Sequence, residues 1–220
     1  MKSILFAALA LLILPNRLSA QHVGASFGWN SSTVDWQYPK PQSPCLGCVY
    51  DAEPNARRES TAIAVSAVWR AQRWIGVTSE LRYTPKGYAI TQPTLNVDYL
   101  EVPVLARFGR LSGQGVPVAP FVEVGPALAV RMQCRVRYNQ TTDPCRNGVA
   151  FGQDWRIRRF DASAIGGAGI AVRVRSNVLL AGLRVDWGLR DIGGPEGVPT
   201  KNRSTLTYVT WLAPLPRFAR

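Results

Sequence analysis

Ten charged side chains recur at alternating positions along otherwise apolar stretches. They are the acids Glu80, Glu101, Glu123, Asp161 and Asp186 and the arginines Arg82, Arg107, Arg131, Arg173 and Arg184. Two chemistries suit such a set. Carboxylates in a dry interior have perturbed proton affinities and can serve acid–base catalysis, or they can neutralise guanidinium groups as buried ion pairs. The near balance of signs favours mutual pairing. Catalysis finds little support elsewhere: the single histidine, His22, has no evident serine or acid partner, so no base-and-nucleophile arrangement is expected. We therefore expect no enzyme and no cofactor. Gly166 to Gly169 is no phosphate cradle, because its glycines alternate within a strand pattern and no helix follows.

Cys45, Cys48, Cys134 and Cys145 form an even set. The Cys45-Leu-Gly-Cys48 spacing has redox or haem character, but Val49 stands where covalent haem attachment needs histidine. A four-thiolate zinc site is the alternative to disulfides. In an oxidising compartment disulfides that staple loops are the simpler expectation. Spacing alone does not choose between pairing 45 with 48 and 134 with 145, or pairing across the two loops.

The compartment follows from the first residues. Lys2, the apolar run Ile4 to Leu14 and the small-residue end Leu18-Ser19-Ala20 have the three parts of an export leader over residues 1–20. The run is too short for a spanning helix and is broken by Pro15, Asn16 and Arg17, and no later segment holds the ~20 apolar residues a helix needs. Without the leader, 24 basic residues face 14 acidic ones in residues 21–220. An exported chain rarely meets nucleic acid, so acidic lipid head groups are the expected partner of this charge.

Positioning the ten charges requires strands. From Asp98 to Phe108, Leu100, Val102, Val104, Ala106 and Phe108 fall on one side, and Tyr99, Glu101, Pro103, Leu105 and Arg107 on the other. The same period of two runs through His22–Asn30, Thr61–Trp69, Ile75–Tyr83, Val118–Arg131, Arg159–Arg173 and Leu179–Arg190, with a last strand of ambiguous parity near Ser204–Ala213. Pro120 and Pro126 predict bulges or local unpairing. Connections alternate long and short, with loops over Ser31–Glu59, Pro85–Asn96, Met132–Ile157 and Asp191–Lys201. This is the asymmetry of an all-β, eight-stranded antiparallel up-and-down transmembrane β-barrel with four longer outer loops and short periplasmic turns.

A secreted lipocalin-like barrel binding an apolar ligand is the alternative, with the apolar face inside and the charges outside. Two features favour the membrane. The apolar side of the first seven strands is essentially free of charge. Aromatics recur near its ends, with Trp29, Tyr83 and Trp187 toward the loops and Trp69 and Phe108 toward the turns, as interfacial girdles require. The charged set then fills the lumen, and eight strands enclose just enough room for side chains, so a plugged barrel without an open pore is expected. Arg70, Arg73, Arg107, Arg110, Arg173 and Arg175 would form a basic collar at the turn end.

Tyr83-Thr-Pro-Lys-Gly87, Tyr99-Leu-Glu-Val-Pro103, Gly125-Pro126, Asp161 with Gly166-Gly-Ala-Gly169, and Gly188-Leu189 followed by Lys201-Asn202 resemble the pattern of the PorT-like outer-membrane β-barrel family. The chain departs from it by continuing through Pro214 to Arg220. The resemblance implies an outer-membrane barrel inserted by the outer-membrane assembly machinery. It implies little about activity, since only the family's namesake is tied to protein secretion; the expectation is a structural or interaction role through extracellular loops whose ligand or protein partner is unknown, or a secretion-accessory role.

Overall fold

The structure, a computed structural model, describes residues 21–36, 57–70, 74–89, 94–109, 117–138, 141–145, 149–150, 153–154, 157–193 and 199–215. Residues 1–20, Cys45, Cys48, Arg73, Arg110 and 216–220 lie outside them. Every described element is a strand: β1 (His22–Trp36), β2 (Arg58–Arg70), β3 (Ile75–Ala89), β4 (Thr94–Gly109), β5 (Val118–Tyr138), β6 (Thr141–Pro144), β7 (Val149–Ala150), β8 (Gln153–Asp154), β9 (Phe160–Val174), β10 (Asn177–Gly188) and β11 (Thr200–Pro214). Eight of them pair in the order β4-β3-β2-β1-β11-β10-β9-β5, and β4 also pairs with β5, closing an antiparallel barrel. Closure leaves the barrel wall without an edge strand, the form in which strands can cross lipid. β6 continues from β5 as a hairpin, and β7 and β8 form a separate two-stranded ribbon.

Alternation sorts the faces. In β4 every odd residue from Leu95 to Arg107 is buried in the barrel. Outside, Phe27 is 61% exposed, Val65 60% and Leu128 67%. That is the reverse of a lipocalin-like interior, because the barrel spends its apolar side chains on its outer surface and its charges within. The last strand resolves in the same way: Asn202, Ser204, Leu206, Tyr208, Thr210 and Leu212 point in, and Val209 and Trp211 point out.

The strands outlast the sequence-based expectation. β1 runs 15 residues, which at ~3.3 Å per residue and a tilt near 45° rises about 35 Å, more than the ~25 Å of an apolar band. Trp29 and Tyr83 consequently lie in mid-strand, and above them the outer face turns polar through Ser31, Thr33 and Asn96. The expected loop over Pro85–Asn96 is mostly strand. β3 continues to Ala89 and β4 starts at Thr94, leaving residues 90–93 between them. Likewise β5 extends seven residues beyond Arg131, to Tyr138.

That extension carries a bulge. Asp98 pairs with Gln133 and Tyr99 with Arg131, so Met132 has no partner on β4. One unmatched residue reverses the faces of a strand. Below it Phe121, Glu123, Ala127 and Ala129 are buried; above it Cys134 and Val136 are. The expected bulges at the prolines do not form against β9, where Pro120 pairs with Ile170 and Pro126 with Ala164 in unbroken register. Against β4 the ladder skips from Pro103–Ala127 to Ala106–Val124 without a shift. The missing prolyl N–H interrupts pairing there and leaves the register intact.

Candidate functional site: an ionic lumen

The barrel interior is layered. At the turn end Phe121, Val178, Leu180, Leu206, Tyr208 and Leu212 belong to one apolar cluster. At the loop end Val34, Tyr88, Leu95, Val97, Tyr99, Val136, Cys134, Cys145 and Ile157 belong to another. The ionised groups lie between the two.

The lower ionic group centres on Glu123 and Arg184. Arg184 donates from Nη1 and Nη2 to the two oxygens of Glu80 at 2.7 and 2.8 Å, a bidentate fork, and from Nε to Glu123 Oε1. Glu123 also accepts from Arg107 Nη2 at 2.9 Å and from the Tyr208 hydroxyl at 2.7 Å. Arg184 lies 4.2 Å from the Tyr208 ring centre and Arg107 4.5 Å from that of Phe121, so the apolar layer meets the cations with aromatic faces. Two glycines of β9 make room. A Cβ on Gly167 would come within 2.9 Å of Arg184 Cγ, and one on Gly169 within 2.6 Å of Phe121 Cζ.

The upper group joins Arg82, Lys86, Glu101 and Asp186. Arg82 Nη2 reaches Glu101 Oε2 at 2.7 Å and Asp186 Oδ2 at 2.8 Å. Lys86 Nζ reaches Glu101 Oε1 at 2.5 Å and Asp186 Oδ2 at 3.4 Å, and Thr84 donates to Glu101 at 3.2 Å. Above them Asn202 Nδ2 donates to Asp161 Oδ2 at 2.7 Å and to the Tyr99 hydroxyl at 3.2 Å. Asp161 also accepts from the Ala162 amide at 2.7 Å. Loop-end residues lie over this layer: Arg158 N–H donates to the Ile192 carbonyl at 2.6 Å and Ile192 N–H to that of Thr200 at 2.8 Å. Ile157 and Ile192 are both buried.

Eight of the ten charges singled out from the sequence enter the lumen: Glu80, Arg82, Glu101, Arg107, Glu123, Asp161, Arg184 and Asp186. Two do not join it. Arg131 sits just below the Met132 bulge and donates from Nη1 to the Ile157 main-chain oxygen. Arg173, beside the tight turn before β10, is exposed and donates to the Arg175 carbonyl at 3.1 Å. Lys86 takes a place among the cations. It stays out of sight in the sequence because Pro85 and Gly87 flank it like loop punctuation. Tyr99, Asn202 and Tyr208 are equally missed, although Tyr99 shares a face with Glu101. Arg107 is buried against Glu123 and cannot belong to an outer basic collar, whose described exposed members are Arg173 and Arg175.

The five aromatics expected at the interfaces keep to the outer side, with Trp29, Tyr83, Phe108 and Trp187 exposed and Trp69 half-buried. Trp29 Nε1 donates to Glu59 at 2.5 Å. Of the cysteines, Cys134 and Cys145 are disulfide-bonded, with Cα atoms 5.4 Å apart across the β5–β6 hairpin. Asp191, outside the strands, accepts the Thr200 and Gly193 amides at 2.9 and 3.0 Å and meets Arg158 at 3.1 Å. Partial burial works against its charge, but these donors hold its carboxyl below the usual range. Among the described residues no cluster of His, Cys, Asp and Glu has metal-binding geometry.

Comparison with known proteins agrees with this architecture. The solved structure of neisserial surface protein A (NspA) is similar over 91% of this chain and 100% of its own, with a TM-score of 0.52 and 14% identity. OprG of Pseudomonas aeruginosa covers 88% of this chain and 93% of its own, with a TM-score of 0.45 and 13% identity. Ail of Yersinia pestis covers 88% and 99%, with a TM-score of 0.43 and 12% identity. At 14% identity the NspA likeness speaks to fold alone, and the two with TM-scores under 0.5 carry no argument. No curated protein matches the sequence. The outer membrane protein beta-barrel domain matches residues 20–193, and with most of its length so matched the chain belongs to that outer-membrane β-barrel family.

Proposed function

We propose that this protein is a sealed, non-conducting outer-membrane barrel that presents its loop end to the cell exterior, where it serves a structural or interaction role. The layered lumen carries the reading: charged groups that pair with one another, capped by apolar clusters at both ends, leave no reason for a water column between them. The ion pairs hold the walls at a set spacing and their placement suits no turnover, because each carboxylate of the two ionic groups is engaged by a cation. Residues 1–20 act as the export leader, the assembly machinery inserts the barrel, and the long connections outside Trp36–Arg58 and Tyr138–Phe160 reach a loop partner. The PorT-like resemblance supports a secretion-accessory version of this role.

The test is conductance. Purified protein that migrates heat-modifiably on a denaturing gel and fractionates with the outer membrane, yet gives no stable channels in planar bilayers, is the expected result. Stable unitary conductance would overturn the sealed lumen.

A further inference from the structure

We propose that a cleft at the Met132 bulge binds the phosphate-bearing headgroup of an outer-leaflet lipid. The proposal rests on the loop-end-out orientation given above. The cleft has a volume of about 330 Å³ and lies where β5 leaves β9 and takes β6 as its neighbour, between Arg131, Met132 and Arg135 on one side and Thr142, Pro144 and Cys145 on the other. The unmatched residue opens it: the bulge bends β5, and the Cys134–Cys145 bridge closes its far end.

Its position matches a membrane boundary. Met132, 63% exposed, ends the apolar outer surface of β5, and Arg135 and Arg137 stand exposed directly above it. The neighbouring strands repeat the step. Arg159 precedes exposed Phe160, Arg190 follows exposed Leu189, and Arg203 pairs across the ladder with exposed Trp187. On the wall formed by β1 to β4 the same level carries Ser31, Thr33, Glu59, Asn96 and Asp98, with Arg57 and Arg58 where the chain enters β2. Most exposed guanidinium groups of this level, those of Arg135, Arg137, Arg159, Arg190 and Arg203, stand on the β5, β9, β10 and β11 half. Of the neighbouring acids, Asp191 faces Arg158 at 3.1 Å and Asp98 faces Arg58 at 3.7 Å, while Asp143 is exposed on β6 between Thr142 and Pro144.

The chemistry is that of a phosphate monoester or diester fixed at the top of an acyl layer. Guanidinium forks take phosphate oxygens bidentately, and the apolar surface below Met132 continues into the band that contacts chains. A free anion would gain the first interaction only. A lipid gains both.

The experiment reconstitutes the full chain in phosphatidylcholine nanodiscs and counts bound lipid by native mass spectrometry. The probes are lipid A, a bis-phosphorylated acylated disaccharide, and its dephosphorylated form, with inorganic phosphate as competitor. Wild type should retain lipid A and reject the dephosphorylated form. Arg135→Gln with Arg137→Gln should lower retention on the order of tenfold or more, at roughly fivefold per charge. Arg173→Gln with Arg175→Gln, at the turn end, should leave retention within about twofold on the same scale. Equal retention by the loop-end variant, an equal loss in the turn-end variant, or full displacement by inorganic phosphate would each overturn the lipid site. All variants are first shown to be heat-modifiable. A folded barrel without lipid A would therefore refute this cleft and leave the sealed outer-membrane barrel standing.

Discussion

β5 is one strand with two interiors. Below Met132 its odd residues face inward and bring Glu123 into a network of arginines; above Met132 its even residues face inward and bring Cys134 and Val136 into an apolar cap. The backbone on both sides is extended and pairs with β4. A single extra residue thus changes which side chains the lumen receives, and with them whether the layer is ionic or apolar. The same bulge opens the outer cleft beneath Arg135.

Inserting one residue between Gln133 and Cys134 should produce the largest effect. The faces above the insertion would reverse, turning Arg135 inward and Cys134 and Val136 outward. Losing the burial of two apolar side chains costs about 3–6 kcal/mol, and the Cys134–Cys145 bridge could not form. Thiol labelling of the folded barrel and its thermal midpoint in detergent check this. An intact disulfide with an unchanged midpoint would show that residue count above the bulge does not set the faces.

Next comes Glu123→Ala, which strikes the lower interior. It removes the acceptor shared by Arg107, Arg184 and Tyr208, and stranding buried charges costs about 3–5 kcal/mol. The unheated compact form should melt at a lower temperature while the upper disulfide persists. If the midpoint stays put, the ionic layer is not what braces the wall.

The smallest effect is confined to the loop end. The Asp191 carboxyl is held below its unfolded value, so its contribution is present above pH ~4 and fades as pH falls through the lower folded value. Protection of the Gly193 and Thr200 amides, measured against their intrinsic exchange rate at each pH, should fall in acid, with protection in the strands unaffected. Protection that does not change with pH would remove Asp191 as the anchor of that loop.

Much of the barrel was legible because lipid and lumen impose opposite chemistry on alternate residues. The split of Glu101 and Arg107 from Leu100 and Phe108 follows from spacing alone, and the uncharged apolar side with its terminal aromatics chose which set faces inward. β11 resisted for a physical reason: its lower interior half lies in the apolar cluster, so Leu206 and Leu212 inside resemble Val209 and Trp211 outside. Pro85 and Gly87 disguised the upper part of β3, since turn-forming residues there sit in a strand paired with β4, while Ser60 and Arg58 side chains donate to the Pro85 and Lys86 carbonyls on the other side. Arg131 and Arg173 show the converse. Each has the right residue type and parity, but one lies next to the bulge and the other next to a two-residue turn, where main-chain oxygens are the nearer acceptors.

The sequence by itself determined strands with one apolar and one charged face and favoured a barrel with its charges inside, because a period of two sorts the side chains and an uncharged apolar side ending in aromatics suits lipid. Tertiary structure alone decided which charges meet. Closing the sheet sets β10 against β3 and β5 across the lumen, so Arg184 finds Glu80 and Glu123, Lys86 joins Asp186, and Met132 changes the faces of β5. Those meetings depend on registers between strands far apart in the chain, and no local pattern of residues encodes them.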